Sequence, residues 1–256
     1  KEIIKKNKIK NFIENKDNSL NNIIKNFKPE IFISCGYDKV IKKKIIKEII
    51  FPINIHFADL PKYKGFFCIP HAIRNEEKRI GITIHYINER VDSGEIISKK
   101  YIKNLVKYSA KDLYLKAIDI VMIEITKIMK LIKKDGKIEG KKQHGTASFY
   151  GKNSLQKYEL SFEDNYMKIV NYIRSFHFPP FSGLKFYCGN LNFNFIYPLE
   201  FKKAKVNDFG KLIRINNKFY LQCKNGILFP KYVNFNNKKT SFNKLIKKFN
   251  LLKKKF

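Results

Sequence analysis

The first regular feature of the chain is a short apolar run, Ile31-Phe32-Ile33-Ser34-Cys35, set between Pro29 and Gly36. Short, Ile-rich and bounded by breakers, it predicts a buried strand. Pro52-Ile53-Asn54-Ile55-His56 repeats the pattern, and Lys39 to Ile50 between them alternates Lys with Ile as a helix would. Residues 57–67 form a loop centred on Leu60-Pro61-Lys62-Tyr63-Lys64-Gly65, and Pro70 to Asn75 suits one or two helical turns. Ile80 to Ile87 alternates around Thr83 and His85, which predicts a strand, and Glu95 to Tyr101 predicts another. Ser109 then opens a long helix, with Asp112 three residues on in capping-box position. Ala110, Leu113, Ala117, Val121, Ile125, Ile128 and Ile132 recur every three or four residues as one apolar stripe. Strands alternating with helices predict an α/β fold with a Rossmann-like, mostly parallel sheet. Ligands of such sheets bind beyond the carboxyl ends of the strands.

The pattern changes after about residue 145. Residues 161–175 predict a helix, broken by His177-Phe178-Pro179-Pro180-Phe181. From Leu184 to Phe235 short strands follow, with a hairpin signal at Asn225-Gly226. Phe242 to Phe256 is basic and amphipathic. The expected organisation is a catalytic domain over residues 1–145, then a helix and a small, mainly β region over 146–256. Residues 1–28 are rich in Lys and Asn, with a helix expected to end near Phe27.

Charge adds less than it promises. The 256 residues carry 53 Lys+Arg against 22 Asp+Glu, a formal charge of +31. That field would attract any polyanion. Yet Arg, the residue suited to bidentate phosphate and base contacts, appears only at positions 74, 79, 90, 174 and 214. Lys, Asn, Ile and Phe are abundant together and Trp is absent, so biased codon composition explains the charge more economically than selection for nucleic acid. Cys35, Cys68, Cys188 and Cys223 form no C-x-x-C pair, which argues against a zinc knuckle and fits a reducing cytoplasm. No apolar run is long enough to span a bilayer, and no signal peptide is visible.

The candidate chemistry lies between residues 52 and 97. Asn54 and His56 are two apart on a strand, so both point to one side at its carboxyl end. Asp92 lies in the loop after the strand that carries His85. An amide and an imidazole could donate to a developing oxyanion. A carboxylate beside them could take a proton from an attacking amine, directly or through water.

The stretch resembles the formyltransferases that use 10-formyltetrahydrofolate. The blocks that carry the resemblance are Asn54-Ile-His56 with Leu60-Pro61-Lys62-Tyr63-Lys64-Gly65, then Gly81-Ile82-Thr83-Ile84-His85, then Asp92-Ser93-Gly94-Glu95-Ile96-Ile97. Their order and spacing follow the family over about residues 29–135. The resemblance implies that Asn54, His56 and Asp92 are catalytic, with His56 protonated and Asp92 helping it hold the proton. Thr83, His85 and Gly65 are then supporting residues, and Lys39, Val40, Ile41, Ile87 and Val91 hold the folate. It implies no metal. Two features depart from the family: Phe57-Ala58 replaces the usual Pro-Ser, and the opening strand with its Gly-containing loop is not recognisable in residues 1–28.

Gln143 to Lys152 resembles the segment that follows the catalytic domain in this family. Ile173-Arg174-Ser175-Phe176-His177-Phe178-Pro179-Pro180-Phe181 is similar to a segment of the sugar N-formyltransferases. That resemblance implies an amino sugar on a nucleotide carrier, of the dTDP-4-amino-4,6-dideoxyhexose kind used in O-antigen biosynthesis, and a homodimer. Phe149 and Tyr150 are expected to stack on the nucleotide base, although core packing suits them equally. His71, His144 and His177 show no metal-ligand spacing and receive no chemistry. The alternatives are a methionyl-tRNA formyltransferase, which the charge favours, and a non-catalytic relative that binds RNA or an anionic membrane.

Overall fold

The computed structural model describes residues 19–155, 160–181, 183–254 and 256. Residues 1–18, part of the expected catalytic domain, lie outside the described residues. Helix α1 (Leu20–Phe27) starts on a Ser19 cap and leads into β1 (Ile31–Cys35). The helix expected over Lys39–Ile50 is a single turn, α2 (Lys43–Ile46), and β2 (Phe51–His56) follows. After the short strand β3 (Lys64–Gly65) come α3 (Cys68–Arg74), β4 (Arg79–Tyr86) and β5 (Ile96–Lys103).

These strands form a four-stranded sheet in the order β1-β2-β4-β5. The fold is α/β, but the sheet is mixed among the described residues. Only β1 and β2 run parallel, while β4 runs antiparallel to both β2 and β5. Alternating burial sets which face of a strand is apolar; it carries no information on strand direction. The antiparallel step matters to the site, because its register sets Asn54 opposite His85 and His56 opposite Thr83.

Helix α4 (Ala110–Asp135) covers one face of the sheet. Its capping box is formed: the Ser109 hydroxyl accepts from the Asp112 N–H, and the Asp112 carboxylate accepts from the Ser109 N–H at 2.9 Å. Ala117, Val121 and Ile128 pack against Ile53, Ile55, Ile82 and Ile84, while Leu113 joins Ile69 and Ile73 of the neighbouring cluster. Glu124 lies buried in the same stripe, where Ser98 donates to it at 2.7 Å and Lys127 pairs with it at 2.7 Å.

The segment β6 (Phe149–Tyr150) returns to pair with β3. Helix α5 (Tyr166–Ser175) then opens the second half. Strands β7 (Lys185–Cys188), β8 (Leu191–Phe195), β13 (Tyr232–Phe235) and β14 (Lys238–Ser241) make one antiparallel sheet. Strands β9 (Glu200–Lys203), β10 (Leu212–Ile215), β11 (Lys218–Cys223) and β12 (Gly226–Phe229) make another. At the expected hairpin, Cys223 pairs with Gly226 and the two turn residues are Lys224 and Asn225, with Asn225 at φ 62. Helix α6 (Phe242–Lys248) buries Phe242, Leu245 and Ile246 against these strands, so the basic tail is amphipathic with a packed side. Arg174 ties the halves together: its Nη1 donates to Asn104 Oδ1 at 2.8 Å and to the Tyr108 carbonyl at 2.9 Å. Among the described residues no helix is long and apolar enough to cross a membrane.

Candidate active site

Two strands and a loop meet at the carboxyl end of β2. Asn54 and His56 end that strand, His85 stands beside Asn54 on β4, and the 88–94 loop brings in Asp92. Asp92 takes a left-handed conformation, φ 49, which aims its carboxylate back at the strand. One oxygen accepts from the Gly65 N–H at 2.8 Å and lies 3.5 Å from His56 Nδ1. The other accepts from Asn54 Nδ2 at 3.2 Å and lies 3.6 Å from His85 Nε2. The three residues implied to be catalytic therefore share one carboxylate.

The neighbours settle the proton positions. His56 Nε2 lies 2.8 Å from the Tyr63 carbonyl, and His85 Nδ1 lies 2.7 Å from the Tyr86 carbonyl. A carbonyl only accepts, so those two nitrogens carry hydrogens. His85 Nε2 is then free to accept from Asn54 Nδ2 at 3.1 Å. Both amide hydrogens of Asn54 point inward, one to His85 and one to Asp92.

Burial pushes the His56 imidazole below its ordinary value, and the Asp92 carboxylate only partly opposes this. That direction runs against a charged His56 in the resting site. Desolvation outweighs the adjacent charge at His56, whose Nδ1 faces Asp92 at 3.5 Å. Burial alone would raise Asp92, but the His85 and His56 rings and the Gly65 N–H outweigh it and hold the carboxyl below its ordinary value. Cys68 sits 3.5 Å from His56 Nε2 and donates to the Tyr63 carbonyl, and burial pushes its thiol up, which rules out a thiolate.

The cluster lies in a cleft of about 580 Å³. All five residues expected to hold folate, Lys39, Val40, Ile41, Ile87 and Val91, line it, as do Gly65 and His85. Val40 and Val91 expose apolar surface there, which suits a flat ring system. Thr83 is fully buried and donates to the Ala58 carbonyl at 2.7 Å, which fastens the loop after His56. Phe149 also lines the cleft and is 61 % exposed.

Tyr150 does not line the cleft. Its ring stacks on His71 at 3.9 Å and on Tyr63 at 5.6 Å, and its hydroxyl accepts from Asn75. Gln143 has a positioning role that its motif did not reveal: its amide donates to the Asp92 and Gly94 carbonyls, both at 2.9 Å. Tyr63 likewise contributes a backbone oxygen, which no side-chain pattern marks. Among the described residues no group of three His, Cys, Asp or Glu side chains could hold a metal ion.

His71 is a buried histidine outside the cluster, 2.7 Å from Ser154 Oγ. Burial, with Arg74 acting the same way, pushes it down to about 4. The folded state thus binds this proton less tightly than the unfolded chain. Its contribution is full above pH 6.5 and is lost as the pH falls toward about 4. Thermal unfolding followed across that window should show stability falling with pH, and His71→Phe should remove part of the fall. An unchanged pH dependence in the variant would count against this account.

The comparisons with known proteins point to one family. A family model described as "Formyl transferase" matches residues 1–122. A methionyl-tRNA formyltransferase of Thermosipho africanus is 30% identical over 220 residues, covering 85% of this chain and 70% of its own. Among solved structures, a sugar 3N-formyl transferase, WlaRD, crystallised with dTDP and 5-N-formyl-THF, superposes with a TM-score of 0.66. It is 23% identical and covers 93% of this chain and 81% of its own. An N-formyltransferase of Helicobacter canadensis, in complex with folinic acid and dTDP-3-aminofucose, has a TM-score of 0.60 at 21% identity. It covers 78% of this chain and 72% of its own.

Proposed function

The chain belongs to the formyltransferase family, and on that premise we propose that it formylates the amino group of a nucleotide-linked amino sugar, of the dTDP-4-amino-4,6-dideoxyhexose kind. It is a formyltransferase enzyme, and 10-formyltetrahydrofolate is its donor. The donor supplies a formyl carbon open to attack by an amine. Val40, Ile41, Ile87 and Val91 hold its ring system, with Lys39 on the same wall. Asp92 accepts the proton shed by the attacking amine, and His56 Nδ1, facing that carboxylate, shares it. The resulting imidazolium and carboxylate attract each other, so the charge change stays local. Asn54 releases its longer bond, to Asp92, and turns that N–H to the formyl oxygen as negative charge grows there. Orienting the amine in the cleft contributes much of the remaining rate. Residues 1–145 act as the catalytic domain, and residues 146–256 complete the cleft.

One observation carries the sugar reading. Phe178, from the Phe-Pro-Pro segment that resembles the sugar enzymes, lines the cleft and meets Tyr114 edge-on at 5.3 Å. The second half of the chain thereby walls a pocket of small-molecule size, with Phe149 placed to stack on a base. The names of curated relatives and the +31 charge favour methionyl-tRNA as a second reading. One experiment separates them. The protein is incubated with 10-formyltetrahydrofolate and either a panel of amino-sugar nucleotides or charged initiator tRNA. Mass spectrometry should find a gain of one formyl group on a sugar nucleotide, with a rate that changes little with salt. Formylation of the tRNA alone, falling steeply between about 50 and 200 mM salt, would replace the sugar reading.

A further inference from the structure

Residues 63–65 meet the active cluster one after another. The Tyr63 carbonyl lies 2.8 Å from His56 Nε2, and the Gly65 N–H donates to Asp92 at 2.8 Å. Between them, Lys64 Nζ donates to Ser93 Oγ at 2.7 Å. That hydroxyl gives its own hydrogen to the Val91 carbonyl at 2.9 Å, so its lone pairs are left to accept from the ammonium. Val91 and Ser93 flank Asp92, whose left-handed backbone, φ 49, persists only where its surroundings hold it. The strand that carries Lys64 is itself fixed, since the Lys64 N–H donates to the Ser148 carbonyl at 2.8 Å. Gln143 holds the same loop by the Asp92 and Gly94 carbonyls. Neither Lys64 nor Ser93 lines the cleft, so neither is placed to touch substrate.

Given the roles of His56 and Asp92 above, we propose that Lys64 is a positioning residue for formyl transfer, whose ammonium latches the Asp92 loop to β3 and sets a fixed positive charge beside the His56–Asp92 pair. The latch acts on distance. A misplacement of about 1 Å in a reacting group costs ~10²-fold in rate, and Ser93 is the immediate neighbour of Asp92. The charge acts on His56, and Ser93, being neutral, does not cancel it. Burial is the main force that lowers His56. Asp92 and the Tyr63 carbonyl oppose it, while His85 and Lys64 add to it. Cys68, 3.5 Å from the same ring, contributes no charge, because burial pushes its thiol up. Lysine keeps its charge at neutral pH, so Lys64 opposes a second positive charge on His56.

Three variants of the full chain test the two effects. Lys64→Met removes latch and charge, Lys64→Arg restores a charge and a donor, and Ser93→Ala removes the acceptor alone. The His56 ring is titrated by NMR, its signal identified by its loss in His56→Gln. It should titrate at higher pH in Lys64→Met than in the wild type, Lys64→Arg or Ser93→Ala. The kcat should fall ~10-fold or more in Lys64→Met and in Ser93→Ala and recover in Lys64→Arg. The acid limb of the rate should move to higher pH in Lys64→Met alone. Circular dichroism checks folding, and Lys64→Gln takes the place of Lys64→Met if that variant does not fold. A His56 titration left in place by Lys64→Met, or a Ser93→Ala turnover equal to that of the wild type, overturns the proposal. The titration needs no substrate. Protein that shows the shift yet formylates no acceptor would support the place of Lys64 beside the pair and overturn instead the function proposed above.

Discussion

Asp92→Asn lowers formyl transfer by about 10³- to 10⁴-fold while the protein stays folded. The rate loss follows from what the carboxylate does. It lies 3.5 Å from His56 Nδ1, and in the proposed mechanism the two together take the amine's proton. A neutral amide cannot take a proton, and positioned bases are worth about 10² to 10⁴ in rate. Loss of the charge also leaves His56 without its balancing partner. The fold survives because Asn tolerates the left-handed conformation that Asp92 adopts, φ 49, better than most residues. Its carbonyl oxygen still accepts from the Gly65 N–H. Steady-state kinetics with circular dichroism check the expectation, and turnover near that of the unaltered enzyme would remove Asp92 from the mechanism. The pH profile adds a second check. His56 and Asp92 are both held below their ordinary values, so the wild-type rate should stay flat above pH 6.5 and fall only as the pair takes up a proton below it. In the variant that acid limb should move to lower pH, because Asp92 is what raises His56.

Legibility in the sequence followed the kind of information each feature needs. Asn54 and His56 were readable because strand periodicity alone puts residues two apart on one side. Asp92 was readable from the resemblance, through its place after the His85 strand. The residues implied to hold folate came the same way, and Lys39, Val40, Ile41, Ile87 and Val91 line one cleft. Where a feature depends on backbone atoms, side-chain patterns are silent, as with the Tyr63 carbonyl under His56 and the Gly65 N–H on Asp92. Strand direction is equally silent, so β4 runs opposite to the expected parallel sheet. The protonation of His56 depends on a balance between desolvation and one neighbouring charge, and that balance exists only in three dimensions. Tyr150 and Phe149 look alike in sequence, yet one is stacked on His71 and the other faces the cleft.

Gly65→Ala lowers turnover about 10²-fold and destabilises the protein by roughly 1–3 kcal/mol, although it touches no reacting atom. Gly65 has φ +92, a conformation L side chains rarely adopt. A Cβ there would be driven into the Tyr150 carbonyl oxygen and would stand 3.1 Å from the Phe149 ring. That carbonyl accepts from the Phe66 N–H at 2.9 Å, so β3 must pull away from β6. The Gly65 N–H then shifts from Asp92, which it holds at 2.8 Å, and an error of about 1 Å in a reacting group costs ~10²-fold. Gly136→Ala separates strain from collision. Gly136 also has a positive φ, +63, but it caps α4 with nothing within 4 Å of its added Cβ. It should lose about 1 kcal/mol of stability and keep its turnover. Thermal unfolding and steady-state kinetics on both variants read the difference. If Gly65→Ala also keeps its turnover, the Gly65 N–H does not position Asp92, and the carboxylate is held well enough by Asn54 and the two histidines.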